Sequence, residues 1–343
     1  MEVSSLGTTL RIRATELTHR TFVVPLLIFY PTSRCNSRCL SCDWWRASGE
    51  DDLTLEEISL FSRTLAGLGT RVVAFSGGEP LLRPEVFAIA DLFLARAQKL
   101  ELLTSGVLLA RHAREVASRF ARVTLSLDAT GAELYKKVRG IDALAAVESG
   151  IARLREAAPL IPITARATLH KANFRELPRL VRGARDLGLD GISFLAADVS
   201  STAFGRMEPP SSGALALDRG EVEEFRSVVE EVIATEGEAF RSGFIAESPE
   251  KLRRLPRYYG ALRGEGPLPK VWCNAPWVSA VVEANGAVRP CFFHPPVGNV
   301  RQAPLDRILR EDLPSFRRKL SVATDPLCQR CVCSIRFRPG SLS

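Results

Sequence analysis

The residues of this 343-residue chain best suited to chemistry are its eight cysteines, and they fall into two sets. Cys35, Cys39 and Cys42 form a C-x3-C-x2-C run. Cys273 and Cys291 frame Gly286, and Cys328, Cys331 and Cys333 follow close to the end. Thiols grouped this way are metal ligands rather than a disulfide framework, which the expected reducing compartment would not sustain. Three thiolates can hold three irons of a [4Fe–4S] cube and leave the fourth iron open to a ligand. Zinc is the alternative, with Asp43 as a fourth donor, but the uneven spacing argues for iron. In the second set, Cys273, Cys291, Cys328 and Cys331 supply four thiolates. That is enough to enclose an iron–sulfur cluster or a structural zinc completely. Cys333 is then left over, as an inert buried thiol or as a replacement for Cys331.

The apolar pattern supplies elements to position these groups. Short β-rich runs occur at 26–30, 72–75, 100–103, 123–127, 163–169 and 191–195. Amphipathic stretches between them, at 54–68, 84–98, 110–119, 141–157 and 173–188, have helical periodicity. Thr54 with Glu57 makes a capping box, and Gly188 closes the last helix. Six strands alternating with helices give a parallel α/β domain. Right-handed crossovers bring all strand C-termini to one face, where chemistry collects.

The motifs sit at those C-termini. The cysteine run follows the first strand. Ser76-Gly77-Gly78-Glu79-Pro80 ends the second, with glycines that let backbone approach a ligand and a carboxylate suited to an ammonium. Thr104-Ser105-Gly106 ends the third strand and Ser126-Leu127-Asp128 the fourth. Arg166 lies on the fifth, where an ion pair is the structural alternative to ligand binding.

Downstream, residues 198–220 form a long loop in which Asp198, Ser200, Ser201, Thr202 and Arg206 are polar candidates for lining a pocket. A helix at about 219–236 and a connector over 241–270 follow. Asn285-Gly286 between the apolar runs 278–283 and 287–291 predicts a hairpin with a type I′ turn. A short helix at 304–320 precedes the last cysteines, and His294 lies just after Cys291. Hydrophobic residues make up 46% and charged residues 25%, ordinary for a globular protein. The net charge of +7 comes from arginines mixed with acids. There is no basic block interleaved with aromatics, so nucleic acid is not an expected partner. No run approaches the ~18 apolar residues of a membrane span, and a cytoplasmic protein is expected.

The cysteine run after strand one, followed one βα unit later by Gly77-Gly78-Glu79-Pro80, resembles the signature of the radical S-adenosylmethionine (SAM) superfamily. The resemblance covers about residues 25–196 and implies a partial (β/α)6 TIM-like barrel. It also implies that Cys35, Cys39 and Cys42 hold a [4Fe–4S] cluster whose open iron is chelated by SAM. Gly77, Gly78 and Glu79 would bind the SAM amino group, Ser126 the ribose and Arg166 the carboxylate. Ser105 stands where relatives often have Asn. Ser41 stands where they usually have an aromatic, and Trp44 and Trp45 follow as replacements or as simple packing.

The second cysteine set, with Pro290-Cys291 and Gly298-Asn299-Val300, resembles the C-terminal twitch/SPASM extension. That likeness implies a small α+β iron–sulfur domain with a second, auxiliary [4Fe–4S] cluster on Cys273, Cys291, Cys328 and Cys331. The expected organisation is an N-terminal arm at 1–24, a radical SAM core at 25–215, a helical linker at 216–270 and a twitch/SPASM-like domain at 271–343.

The resemblance implies reductive cleavage of SAM to a 5′-deoxyadenosyl radical. That radical abstracts hydrogen from a small molecule or biosynthetic intermediate, with the auxiliary cluster assisting a net oxidation. The alternative is cross-linking or epimerisation of a ribosomally made peptide; in an epimerisation Cys333 would be the catalytic hydrogen-atom donor. Either needs a low-potential electron donor such as flavodoxin or ferredoxin.

Overall fold

The computed structural model describes residues 6–96, 98–210 and 212–333. The ends of the expected arm, 1–5, and of the expected C-terminal domain, 334–343, lie outside them. Six strands, β1 (Leu26–Phe29), β2 (Val72–Phe75), β3 (Lys99–Thr104), β4 (Arg122–Ser126), β5 (Ile163–Leu169) and β6 (Gly191–Ala196), pair in parallel in chain order. They lie within two residues of the runs read from sequence.

Alternation along the strands separates two faces. Leu100, Leu102, Val123, Leu125, Ala165, Ala167, Ile192 and Phe194 are fully buried in the main core. The other face is apolar on β1 and β2, where Ile28 and Ala74 pack with Tyr30, and largely polar on β4, β5 and β6. Ser126 is in register with Arg166 and Arg166 with Ser193, giving a row of three side chains across β4, β5 and β6. Helices cover the apolar face. The helix Leu55–Ser62 carries the expected capping box on Thr54 and Glu57. It is shorter than 54–68, and Gly67 and Gly69 fall in the turns that follow, as glycine's low helix propensity favours. The helix Val86–Leu94 is likewise shorter than 84–98, whereas Arg219–Thr235 runs nearly as expected.

Three helices depart from the sequence expectation. Ala132–Arg139 ends at Gly140 in the left-handed region, a standard glycine terminus. Pro249–Leu262 occupies what was expected to be a connector. Its start signals are present: Ser248 accepts from the Lys251 N–H, and Pro249 takes the first turn. Pro256 in its interior disguised it as loop. The expected N-terminal arm contains the helix Leu6–Thr18, whose Ile12 packs with Val23, Trp277 and Val278.

The C-terminal residues extend the same sheet. β7 (Ser279–Val282) runs parallel to β1, with Leu26 opposite Ser279 and Phe29 opposite Val282. β8 (Ala287–Arg289) and β9 (Gly298–Asn299) continue it antiparallel. The hairpin turn is not type I′. That turn needs two left-handed residues, and only Gly286 has positive φ, +84°. The Gly286 N–H donates to the Glu283 carbonyl at 2.9 Å, and the Glu283 N–H to the Ala287 carbonyl at 2.9 Å. This is a three-residue loop ending in a glycine bulge.

Arg317, wholly buried on the helix Leu313–Lys319, donates to the Pro276 carbonyl at 2.6 Å and to Thr21 Oγ1 at 2.8 Å. It ties the two ends of the chain together. No helix among the described residues is long and apolar enough to cross a membrane.

Candidate active site

The first cysteine loop leaves β1 at Tyr30 and is held from three sides. At its start, the Asp52 carboxylate accepts from Thr32 Oγ1 at 2.5 Å and Ser33 Oγ at 2.8 Å. The glycine turn after β2 lies flat against it, with Gly78 N–H donating to the Thr32 carbonyl and Glu79 N–H to the Arg34 carbonyl. A Cβ on Gly78 would fall 2.1 Å from the Arg34 oxygen, so only glycine fits. On the second side, Arg38 and Leu40 donate their N–H groups to the Arg139 and Val138 carbonyls at the end of the helix Ala132–Arg139. On the third, the Asp43 N–H meets the Phe204 carbonyl at 2.9 Å, and Arg206 donates to the Ser41 carbonyl.

Burial pushes the Cys35 thiol up to about 11 and Cys42 up to about 12, and raises Cys39. The neighbouring cysteines add to the rise at Cys35 and Cys42. The Arg139 cation opposes it at all three. Arg139 is 9% exposed and pairs with Asp128 at 3.1 Å. Asp128, just past the end of β4, is the buried partner of this cation. It also accepts the Thr168 N–H at 2.7 Å. Three neutral thiols beside one buried cation suit a metal cluster, whose binding displaces the thiol protons.

The other candidates gather around this loop. Glu79 is 1% exposed, and its carboxylate accepts from Thr104 Oγ1 at 2.7 Å, Ser105 N–H at 2.7 Å and Leu81 N–H at 3.1 Å. Ser105 Oγ reaches Asn36 Oδ1 at 3.4 Å. Arg166 makes a hydrogen bond to Ser193 Oγ at 3.3 Å, and no ion pair among the described residues. Trp44 stands edge-on to Tyr30 at 5.7 Å and packs against Gly205. Trp45 donates back to the Cys42 carbonyl at 3.0 Å.

All five downstream cysteines line one cavity, together with Phe292 and His294. Among the described residues no carboxylate lines it, and a thiol-rich donor set of this kind suits an iron–sulfur cluster or zinc. Burial pushes Cys291 and Cys333 up to about 12 and raises Cys328 well above the usual thiol range. His294 Nε2 lies 3.3 Å from Cys328 Sγ and 3.8 Å from Asp325. Asp325 also caps the Leu327 and Cys328 N–H groups. Cys333 differs from Cys291 and Cys328, since the Arg166 cation on β5 lowers its thiol against the rise from burial.

An aromatic wall runs between the two cysteine sets. Phe292 stacks on Tyr30 at 6.4 Å and on Phe204 at 6.5 Å, and Phe293 meets Phe204 edge-on at 5.7 Å. Tyr30, whose phenol burial raises most, also senses Cys42 and Cys333. Sequence reasoning missed Arg139, Tyr30, Phe204 and Phe292. The position of Phe292 next to Cys291, and of Tyr30 at the end of β1, was the signal available for two of them.

The model of the radical SAM superfamily matches residues 29–184, and that of an iron–sulfur cluster-binding domain, SPASM, matches residues 273–332. A probable GTP 3′,8-cyclase of Methanocaldococcus jannaschii is 31% identical over 161 residues, 46% of this chain and 54% of that protein. An AdoMet-dependent heme synthase of Methanosarcina barkeri is 32% identical over 168 residues, 48% of each. The chain thus spans about half the length of the curated relatives it matches. Among solved structures, anSMEcpe with bound AdoMet superposes with a TM-score of 0.65 over 90% of each chain, at 18% identity. Streptococcus suis SuiB bound to S-adenosylmethionine gives 0.64 over 96% of this chain and 77% of that one, at 14% identity. At these identities the likeness shows the fold, a partial barrel with a small C-terminal domain.

Proposed function

Because residues 29–184 belong to the radical SAM superfamily and residues 273–332 to an iron–sulfur cluster-binding domain, we propose that this chain takes a hydrogen atom from a small molecule or biosynthetic intermediate in a net oxidation. The two domains imply SAM and two [4Fe–4S] clusters, which when bound supply reductive SAM cleavage to a 5′-deoxyadenosyl radical and a second one-electron centre. Cys35, Cys39 and Cys42 would hold the first cluster, and Cys273, Cys291, Cys328 and Cys331 the auxiliary one. In this scheme residues 25–215 are the radical core, 216–270 a helical linker and 271–343 the auxiliary domain.

The chain's own groups have distinct roles here. Gly77, Gly78 and Glu79 shape the amino-group end of the SAM site, with Ser105 fixing the Glu79 carboxylate. Ser126 and Arg166, register neighbours, offer a hydroxyl to the ribose and a guanidinium to the carboxylate. Phe292, Tyr30 and Phe204 exclude water between the two cysteine sets. The observation that carries the reading is that wall, because it gives both sets one shared boundary. An external low-potential donor such as flavodoxin or ferredoxin would supply the electron.

Of the second reading, modification of a peptide by cross-linking or epimerisation, the neighbourhood of Cys333 favours epimerisation. Its thiol lies in the field of Arg166 and Tyr30 and is surplus to a four-thiol site. It would return a hydrogen atom to a substrate radical, and an external electron and proton would restore the thiol.

Anaerobic reconstitution with iron and sulfide, then reduction in the presence of SAM, tests both. About eight irons per chain and release of 5′-deoxyadenosine are expected. No SAM cleavage by fully loaded protein would refute the enzyme assignment.

A further inference from the structure

The helix Pro249–Leu262 presents a row of donors that neither cysteine site uses. Lys251, Arg254, Leu255 and Tyr258 stand at i, i+3, i+4 and i+7, on one helical face. All four line a cavity whose other walls include Ala196, at the end of β6, and Cys331. Its open volume is about 40 Å³, room for one small polar group rather than for a whole ligand.

Two polar groups of this face, Arg254 and Tyr258, are short of partners. The Arg254 guanidinium donates to the Lys270 carbonyl at 2.5 Å and meets no carboxylate within ion-pair distance among the described residues. Lys251 Nζ lies 3.5 Å from Glu247, whose other oxygen accepts the Phe194 N–H. Tyr258 is 5% exposed, and its hydroxyl is buried. The Val199 backbone and Ser200 side chain stand beside that hydroxyl without closing a well-formed hydrogen bond on it. A half-satisfied guanidinium and a buried free hydroxyl cost free energy that an incoming acceptor relieves. The acceptors such donors select are carboxylate and phosphate oxygens.

We propose that this cavity receives an oxyanionic group of the substrate, a carboxylate or a phosphate, gripped by Arg254 and Tyr258 with Lys251 alongside. The inference rests on the proposed reading in that the molecule carrying the group would be the substrate. The group would sit between the end of β6 and Cys331, with the remainder of the molecule directed to the space between barrel and auxiliary cysteines.

The test is thermal unfolding of the reconstituted protein, titrated with acetate and separately with inorganic phosphate at an ionic strength fixed with chloride. A saturable rise in Tm is expected with at least one anion, and the tighter one tells carboxylate from phosphate. Its half-saturating concentration should rise about tenfold in Arg254→Gln and severalfold in Tyr258→Phe, each read against its own anion-free Tm. No saturable rise with either anion, or equal half-saturation in all three proteins, would overturn the proposal. 5′-Deoxyadenosine release is measured on the same preparation. Its absence would refute the radical chemistry and leave the anion site standing.

Discussion

Arg206 donates with one arm to the Ser41 carbonyl and with the other to the Asp198 carboxylate at 3.2 Å, joining the loop after β6 to the cysteine loop after β1. Both charged side chains are almost wholly buried, 3% and 2% exposed. Asp198 also accepts from Ser200 and Ser201. Ser41 therefore takes part in the site through its backbone, which no side-chain pattern could announce.

Removing one partner of such a pair leaves a buried charge without compensation. Arg206→Met should cost about 3–5 kcal/mol in denaturant unfolding. Combining it with Asp198→Asn should recover part of that loss. A single substitution within about 0.5 kcal/mol of wild type would show the pair to be dispensable.

Gly78→Ala tests the contact between the glycine turn and the cysteine loop. The added methyl would stand 2.1 Å from the Arg34 oxygen, and backbone on both sides leaves nowhere to move. A loss of about 1–3 kcal/mol in stability is expected, with SAM binding weakened at least about tenfold. Gly131→Ala is the control, since a Cβ there meets nothing within 4 Å. Equilibrium dialysis with SAM separates the two variants.

The Glu57–Arg301 pair joins the first barrel helix to the C-terminal residues at 2.6 Å. The Arg301 hydrogen bond, with the capping bond from Thr54, lowers the Glu57 carboxyl from 4.5 to about 2. A group depressed in the folded state contributes stability above its unfolded pKa and loses it as pH falls through the folded value. The difference between wild type and Glu57→Gln should therefore be full above pH 4.5 and vanish towards pH 2. Both side chains are about one-third exposed, so screening holds that difference to roughly 1 kcal/mol or less. Unfolding free energies measured across that window decide it.

The six parallel strands were legible because each is a short β-rich run beside an amphipathic helix, and the ligand motifs because each ends a strand. The helix Pro249–Leu262 was not, because an interior proline and four arginines and lysines resemble a connector once tertiary packing is unseen. The pairing of β7 with β1 is invisible to local pattern, since Leu26 and Ser279 are brought together only by the closing of the sheet. Arg139 was missed for a similar reason. It looks like one more basic residue at a helix end until the fold sets it against Asp128 and the three cysteines.

The division of labour among the last cysteines gives the sharpest remaining test. Cys331 donates its N–H to the Cys328 carbonyl at 3.1 Å, so the two thiols ride on one tight turn fixed by the Asp325 cap. Cys333 lies beyond that turn, in the field of the β5 arginine and Tyr30. Cys331→Ala should lose about four irons of about eight, and Cys333→Ala should keep them all. If Cys333 returns hydrogen to a substrate, its loss should leave 5′-deoxyadenosine release intact while product carries no hydrogen from solvent. Iron loss in Cys333→Ala with retention in Cys331→Ala would exchange the two roles, making Cys333 the ligand and Cys331 the surplus thiol.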